Sequence, residues 1–299
     1  MIDREFLSRH ASFVDAEIEE RALHIEVGDG LCFALLYRPA EPKETGFVVC
    51  HSYGLEFLTL RRTERALARA LSVQGYPVIA VHCRGFGDSS GSLAQTTLES
   101  VHEDVRAAAE RLSALTGTRR LGLIGARLGG LTAGTVAQAG DVDRLVLINP
   151  ALDGKSYFRQ MIREMRLVKL TQNERSSVDD HLRQLREGGM LDVLGNDVYA
   201  HFFDAVADVD LAKDMGTFTG DVLAFQVSKR PALQRNLSNL RQTVQDRGGS
   251  CEVEFVKEPP GATFGGPAFV NTGDSNTRVD VQTPIVDHIT RRTKEWMSS

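Results

Sequence analysis

Apolar residues fall along this chain in two alternating rhythms. Short unbroken apolar runs at 46–50 (Gly-Phe-Val-Val-Cys), 78–82, 121–126 and 144–149 have the length and composition of strands buried on both faces of a parallel sheet. Between them lie stretches whose apolar residues share one helical face. One is 60–74, where Leu67, Leu71 and alanines oppose a row of arginines, and another is 98–115, closed by Gly117. A hairpin is predicted ahead of these, strands 23–27 and 32–37 about Gly28-Asp29-Gly30, ended by Pro39 and Pro42 and preceded by a helical lead. The alternation resumes with a strand at 222–227, a helix at 232–247, a strand at 251–256 and a closing helix at 283–297, with 259–276 as loop. Strand and helix in turn at this spacing predict a parallel sheet covered on both faces.

Residues 153–217 break the rhythm. Tyr157, Met161, Met165, Leu167, Leu182, Leu185, Tyr199, Phe202 and Phe203 keep a helical spacing with no strand between them. The stretch predicts a helical cap over the sheet's carboxyl edge, leaving 1–152 and 218–299 as the core; the aromatic residues 199, 202 and 203 are expected in the interior of the cap.

Composition narrows the function classes. With 299 residues, 42% of them hydrophobic and 25% charged, the chain can bury a large single core. A net charge of −5 gives no basic face for nucleic acid, and the cations between 159 and 169 alternate with apolar residues as on one helix face. No apolar run is long enough to span a bilayer, and Met-Ile-Asp-Arg-Glu lacks a signal-peptide core, so a cytoplasmic location is expected. The four cysteines, Cys32, Cys50, Cys83 and Cys251, are widely spread and fit reduced thiols. No ligand spacing implies a metal, and no cofactor is expected.

The chemistry centres on residues 120–130, a strand running through glycines into a helix. In serine hydrolases a Gly-x-Ser-x-Gly turn lifts the nucleophile above the sheet. Here the frame is Gly125-Ala126-Arg127-Leu128-Gly129, with Arg127 where the serine would stand. A guanidinium stays protonated and cannot attack a carbonyl.

Together with the loop Arg84-Gly-Phe-Gly-Asp-Ser-Ser-Gly91, this elbow resembles the α/β-hydrolase superfamily. A narrower resemblance is to the serine-aminopeptidase-like branch that includes hydrolase-like proteins associated with exosortase and exopolysaccharide gene clusters. It rests on Ser52-Tyr-Gly-Leu-Glu56 with Arg61-Arg62, on Gly-Ala-Arg-Leu-Gly-Gly, and on Gly154-Lys-Ser-Tyr157 with Arg159-Gln160. His51-Ser52 stands where that branch has a proline-containing pair. The resemblance implies an α/β-hydrolase fold, a mostly parallel eight-stranded sheet flanked by helices and carrying a helical cap.

In that fold the acid follows the strand ending near Val227, where this chain has Ser228-Lys229-Arg230-Pro231. The histidine follows the strand at 251–256, where it has Pro259-Pro-Gly-Ala-Thr-Phe-Gly-Gly266. His288, the only histidine after His201, is placed by pattern in the closing helix. All three triad members are replaced, and losing them together removes nucleophile activation and leaving-group protonation.

Other groups converge on the same edge. Cys50-His51-Ser52 and His82-Cys83 end neighbouring strands; they are read either as a Cys/His pair or soft metal site, or as small buried residues and hydrogen-bonding histidines. Backbone N–H groups of 51–54 are candidates for an anion hole, with Ser52 a candidate displaced nucleophile. Two readings of Arg127 stand open. It binds a ligand anion beside the helix N-terminus, or it pairs with Glu56 and fills the former active site; Glu56 is also a candidate general base. Asp88 is expected to organise its turn, and Asp104 to make a surface or packing contact.

The sequence thus predicts a hydrolase-like protein without the Ser-Asp-His triad. It binds a small acyl-bearing or anionic ligand in the cap–core cleft through Arg127, Leu128, Tyr53 and Ala126, in the setting of a biosynthetic pathway. The alternatives are an atypical hydrolase, acyltransferase or lyase/cyclase using Glu56, His51, His82, Ser52 or Cys83, and a non-catalytic interaction scaffold. A homodimer is compatible with each.

Overall fold

The apolar run at 46–50 forms β4 (Thr45–Cys50), and its alternate side chains serve two different cores. Phe47 and Val49 pack with one cluster, Val48 and Cys50 with the other, the result expected of a strand covered on both faces. The computed structural model describes residues 12–14, 18–170, 176–258, 264, 269–271, 278–280 and 283–298.

Around β4 lies a nine-stranded sheet in the order β1-β2-β3-β5-β4-β6-β7-β10-β11. Its members are β1 (Ser12–Val14), β2 (Ile18–Val27), β3 (Gly30–Pro39), β5 (Val78–Val81), β6 (Arg120–Ala126), β7 (Arg144–Ile148), β10 (Asp221–Ser228) and β11 (Ser250–Lys257). Strands β5, β4, β6, β7, β10 and β11 are parallel, whereas β1, β2 and β3 join them antiparallel. The three-residue β1 is the strand beyond the eight expected. The predicted helical lead falls partly on residues 1–11 and 15–17, outside the described residues; from Ile18 onward the chain is strand, because β2 runs in register with β3 along its whole length. Gly28 at φ 58° makes the tight turn between them.

Helices α1 (Gly54–Val73) and α9 (Thr283–Ser298) cover one face, through Leu60, Leu67, Leu71, Ile285, Ile289 and Trp296. The other face is covered by α2 (Leu98–Thr116), α3 (Leu128–Gln138) and α8 (Arg235–Asp246). Helix α2 begins at a reciprocal Thr97–Ser100 capping box and ends at Gly117 in the left-handed conformation. Helix α1 starts six residues before the expected 60, at Gly54. Its first turns carry exposed Leu55 and Leu58 beside inward-facing Glu56, so they lack the amphipathic pattern of the later turns.

Residues 153–217 hold α4 (Gly154–Leu170), α5 (Val178–Gly188), α6 (Ala200–Ala207) and the short α7 (Leu211–Asp214). They also hold a hairpin absent from the sequence expectation, β8 (Met190–Asp192) with β9 (Asp197–Tyr199). Left-handed Gly189 stops α5, Leu194 and Gly195 at positive φ turn the chain, and Leu191 and Val198 are buried as cross-strand partners. The chain at 152–154 and at 209–211 runs side by side: Gly154 N donates to Val209 O at 3.1 Å and Leu211 N to Leu152 O at 2.8 Å. The expected loop at 259–276 contains β12 (Phe269–Asn271), paired with β13 (Arg278–Asp280). Among the described residues no helix is long and apolar enough to cross a membrane.

Candidate functional site

Parallel β4, β5, β6, β7 and β10 all end at one edge, which brings Ser52, His82, Arg127, Asn149 and Lys229 to a common side of the sheet. Between β6 and α3 the chain makes its sharpest turn. Arg127 sits at φ 52° and ψ −119°, a conformation that costs a non-glycine residue roughly 1–3 kcal/mol. The frame is held by contacts at which no side chain fits. A Cβ on Gly125 would lie 2.1 Å from Gly129 O, and one on Gly129 would lie 2.0 Å from Cys50 O. Arg127 N donates to Ile148 O at 3.1 Å, and Arg127 O accepts from Ala151 N at 2.8 Å, fastening the turn to the end of β7. The backbone is thus that of a nucleophile elbow with a cation at its apex.

Glu56 is the hub of the side-chain arrangement. Its Oε1 accepts from Arg127 Nε at 2.9 Å, and its Oε2 accepts from Ser52 Oγ and from Tyr157 OH, each at 2.8 Å. Of the two readings left open by the sequence, the structure has the ion pair. Burial alone disfavours the Arg127 cation, but the Glu56 carboxylate outweighs it and raises the guanidinium above its ordinary range. Burial and the same carboxylate push the Tyr157 phenol well up, so it stays a proton donor.

Ser52 closes the arrangement. Its Oγ accepts from Leu128 N at 3.3 Å while donating to Glu56. The N–H following the elbow residue is the one that would face a developing oxyanion, and here it faces a hydroxyl. The elbow's own N–H donor, that of Leu128, is therefore taken up by a protein side chain.

Two cavities flank this group. A cleft of about 630 Å³ is lined by Arg127, Asn149, Tyr157, Lys229, Arg230 and Glu258, among others. A cavity of about 30 Å³, room for a water molecule or two, is lined by His51, Ser52, Tyr53, Cys83, Leu128 and Phe202. Glu56 lines neither. Tyr53 and Leu128 face the small cavity, Tyr53 stacking on Phe202 at 5.1 Å and donating to Asp197 O. Ala126 is fully buried in the core beneath α1 and lines neither cavity, because strand alternation turns it away from Gly125 toward that face.

Of the cysteine and histidine candidates, Cys50 and His82 are buried, and His51 and Cys83 are half-buried. Desolvation raises the Cys50 thiol, and desolvation with Asp104 raises that of Cys83 well above the ordinary range, which removes thiolate character from both. His51 Nδ1 meets Glu64 Oε2 at 2.5 Å, leaving His51 Nε2 and Glu64 Oε1 buried with no partner among the described residues. Among the described residues no group of three His, Cys, Asp or Glu side chains is placed to hold a metal. Asp104, expected to make a surface or packing contact, makes an interior one: it is fully buried and accepts from Arg84 N and Nε at 2.7 Å each, a clamp on the loop after β5. His288 lies on α9 and bonds Glu254 at 3.0 Å.

His82 supplies a pH signature. Burial, with the neighbouring charges of His51 and Arg61, lowers it from 6.5 to about 3. The unfolded chain takes up this proton as pH falls through about 6.5 and the folded chain only near 3, so acid favours unfolding across that window. Stability is expected to decline from pH 6.5 to 4, and His82→Asn to flatten the decline. Urea midpoints at several pH values measure it, and an unchanged slope in the variant would refute a neutral buried His82.

Sequence reasoning missed Glu64 and weighed Lys229 and Arg230 only as replacements for an acid. Glu64 had a signal: it shares the apolar face of α1 with Leu60, Leu67 and Leu71, where a carboxylate needs a buried partner. Tyr157 entered only through the helical spacing of 153–217 and the local resemblance, not as a partner of Glu56.

A family model described as serine aminopeptidase, S33, matches residues 41–185. No curated protein matches the chain. Among solved structures, Est1E from Butyrivibrio proteoclasticus with ferulic acid bound aligns with a TM-score of 0.63 at 14% identity, over 93% of this chain and 100% of that one. The Pyrococcus furiosus esterase Pf2001 aligns with a TM-score of 0.62 at 13% identity, over 94% and 90% of the two chains. DcsB in complex with its substrate analogue aligns with a TM-score of 0.61 at 14% identity, over 93% and 98%.

Proposed function

This chain has the α/β-hydrolase fold, and on that footing we propose that it does not carry out serine-hydrolase chemistry but binds a small anionic or acyl-bearing molecule in the 630 Å³ cleft. Residues 153–217 act as a cap over a core of 1–152 and 218–299. The observation that carries the reading is the orientation of Arg127. Arg127 lines the cleft, Glu56 fixes its Nε edge, and its terminal nitrogens are bonded among the described residues only by Nη1 to Asn149 O at 3.4 Å. A guanidinium has more N–H donors than these acceptors satisfy, and a carboxylate or phosphate matches its planar fork.

The hydrolytic route lacks its parts. The elbow residue is a cation, the loop after β10 has no carboxylate, and the sequence has no histidine between His201 and His288. Most of the loop expected to carry the histidine lies outside the described residues, but its sequence holds none. Glu56 already accepts hydrogen bonds from Ser52, Arg127 and Tyr157 and lines neither cavity, and desolvation keeps the Cys50 and Cys83 thiols protonated and poorly nucleophilic. A binding protein of this kind fits an accessory role in a biosynthetic route, as the resemblance to the exosortase-associated branch implies. That Est1E holds ferulic acid is compatible with a small-molecule cleft in this fold.

Thermal unfolding in the presence of hexanoate, benzoate and phosphate tests the reading. At about ten times the dissociation constant an anion seated on Arg127 is expected to raise the melting temperature by roughly 2–4 °C, and Arg127→Met to abolish the rise. Neither the protein nor Arg127→Ser is expected to turn over p-nitrophenyl esters or to take up a fluorophosphonate. Ester turnover removed by Ser52→Ala, or equal anion stabilisation of Arg127→Met, would overturn the proposal.

A further inference from the structure

We infer that Lys229 and Arg230 form a second anion subsite in the same cleft, so that the preferred ligand carries two separated negative groups. The inference rests on the anion-binding reading of Arg127 and adds the ligand's class to it. Three cations line the cleft, Arg127, Lys229 and Arg230, against two carboxylates, Asp153 and Glu258. Both carboxylates are engaged by backbone: Asp153 Oδ1 accepts from Ser156 N at 2.6 Å, and Glu258 Oε1 accepts from Phe264 N at 2.7 Å. The charge of Arg127 is met by Glu56, which lies outside the cleft lining. Among the described residues neither Lys229 nor Arg230 has a carboxylate within ion-pair distance, and both are exposed.

The loop bearing these cations is built rather than loose. Gln226, only 2% exposed, donates through Nε2 to Ser228 Oγ and Ala232 O at 2.9 Å each and accepts on Oε1 from Gln234 N at 2.8 Å. Ser228 Oγ in turn donates to Arg230 O at 2.9 Å. A buried amide that spends three hydrogen bonds on one short loop holds Lys229 and Arg230 at a fixed place on the cleft wall.

The spacing follows from the sheet. Arg127 follows β6 and Lys229 follows β10, with β7 between them. Two inter-strand steps separate the strand ends by roughly 10 Å. A single carboxylate or phosphate reaches one subsite, whereas an extended chain with an anionic group at each end reaches both. The two ends share anion chemistry, and carboxylate and phosphate are told apart by the probes.

Titration calorimetry on the full chain compares hexanoate with malonate, succinate, adipate and suberate, and adds 6-phosphonohexanoate as the phosphate-type arm. Adipate or suberate is expected to bind about fivefold tighter than hexanoate at low salt, malonate to show no such gain, and the gain to shrink with added salt. In the Lys229→Ala/Arg230→Ala double variant the diacid-to-monoacid affinity ratio is expected to fall to near one. A larger gain for 6-phosphonohexanoate than for the diacids assigns the outer group as phosphate, and the reverse assigns it as carboxylate. Equal binding of hexanoate and the long diacids, or a ratio that survives the double variant, overturns the second subsite while leaving the Arg127 site standing. Hexanoate binding that is absent, or indifferent to Arg127→Met, overturns the underlying reading as well.

Discussion

Replacing Glu56 by alanine is expected to destabilise the protein by about 2–4 kcal/mol. Removing one partner of a buried ion pair costs about 3–5 kcal/mol, because the other charge is left desolvated. Here the side chains of Arg127 and Glu56 keep 12% and 19% exposure, so water reaching the guanidinium from the cleft lowers that cost. Against this, the same change strips the acceptor from the buried hydroxyls of Ser52 and Tyr157. Arg127→Met is expected to cost less, since Glu56 retains two donors. Urea unfolding of both single variants and the double variant closes a cycle, with a coupling energy of about 1 kcal/mol or more expected between groups in direct contact. Additive effects would mean that the carboxylate and guanidinium are independently solvated and that the hub is not a unit.

Gly129→Ala and Gly125→Ala are expected to be more severe, each costing about 3–5 kcal/mol or abolishing soluble expression. The atoms an added methyl would meet, Cys50 O at 2.0 Å and Gly129 O at 2.1 Å, belong to backbone at the junction of β4, β6 and α3, and no rotamer change relieves them. Gly188→Ala is the control, since a Cβ there meets nothing within 4 Å. Thermal midpoints of the three variants decide the matter, and a Gly129→Ala protein as stable as Gly188→Ala would refute the tight frame. The expected cost falls on backbone geometry alone, so the effect is independent of whether any reaction occurs.

The frame of the site was legible in the sequence because sterics dictate it. Glycines on either side of a turn between an apolar strand and a helix leave few other readings, and the parallel sheet follows from apolar runs too short to be helices. The Glu56–Arg127 contact was of a different kind. The two residues are 71 positions apart, and only the local resemblance linked their stretches. Ser52 as an acceptor for Leu128 N, and Tyr157 as a third donor to Glu56, depend on how α1 and α4 dock, which periodicity does not encode. The start of α1 and the hairpin at β8 and β9 were missed for a local reason. The first has leucines pointing to solvent, and the second consists of two three-residue strands, below the length at which alternation can be read.

The paired backbone bonds at Gly154–Val209 and Leu152–Leu211 make residues 154–209 a loop with a closed throat. Residues may be added or removed beyond that throat without altering the register of any strand in the main sheet. Ser156, Tyr157 and Gln160, which line the cleft, lie beyond the throat, whereas Arg127, Asn149 and Lys229 come from strand ends of the main sheet. The main sheet and the segment beyond the throat are thus separable in register, and a segment transplanted at the throat is expected to leave every strand pairing of the main sheet intact.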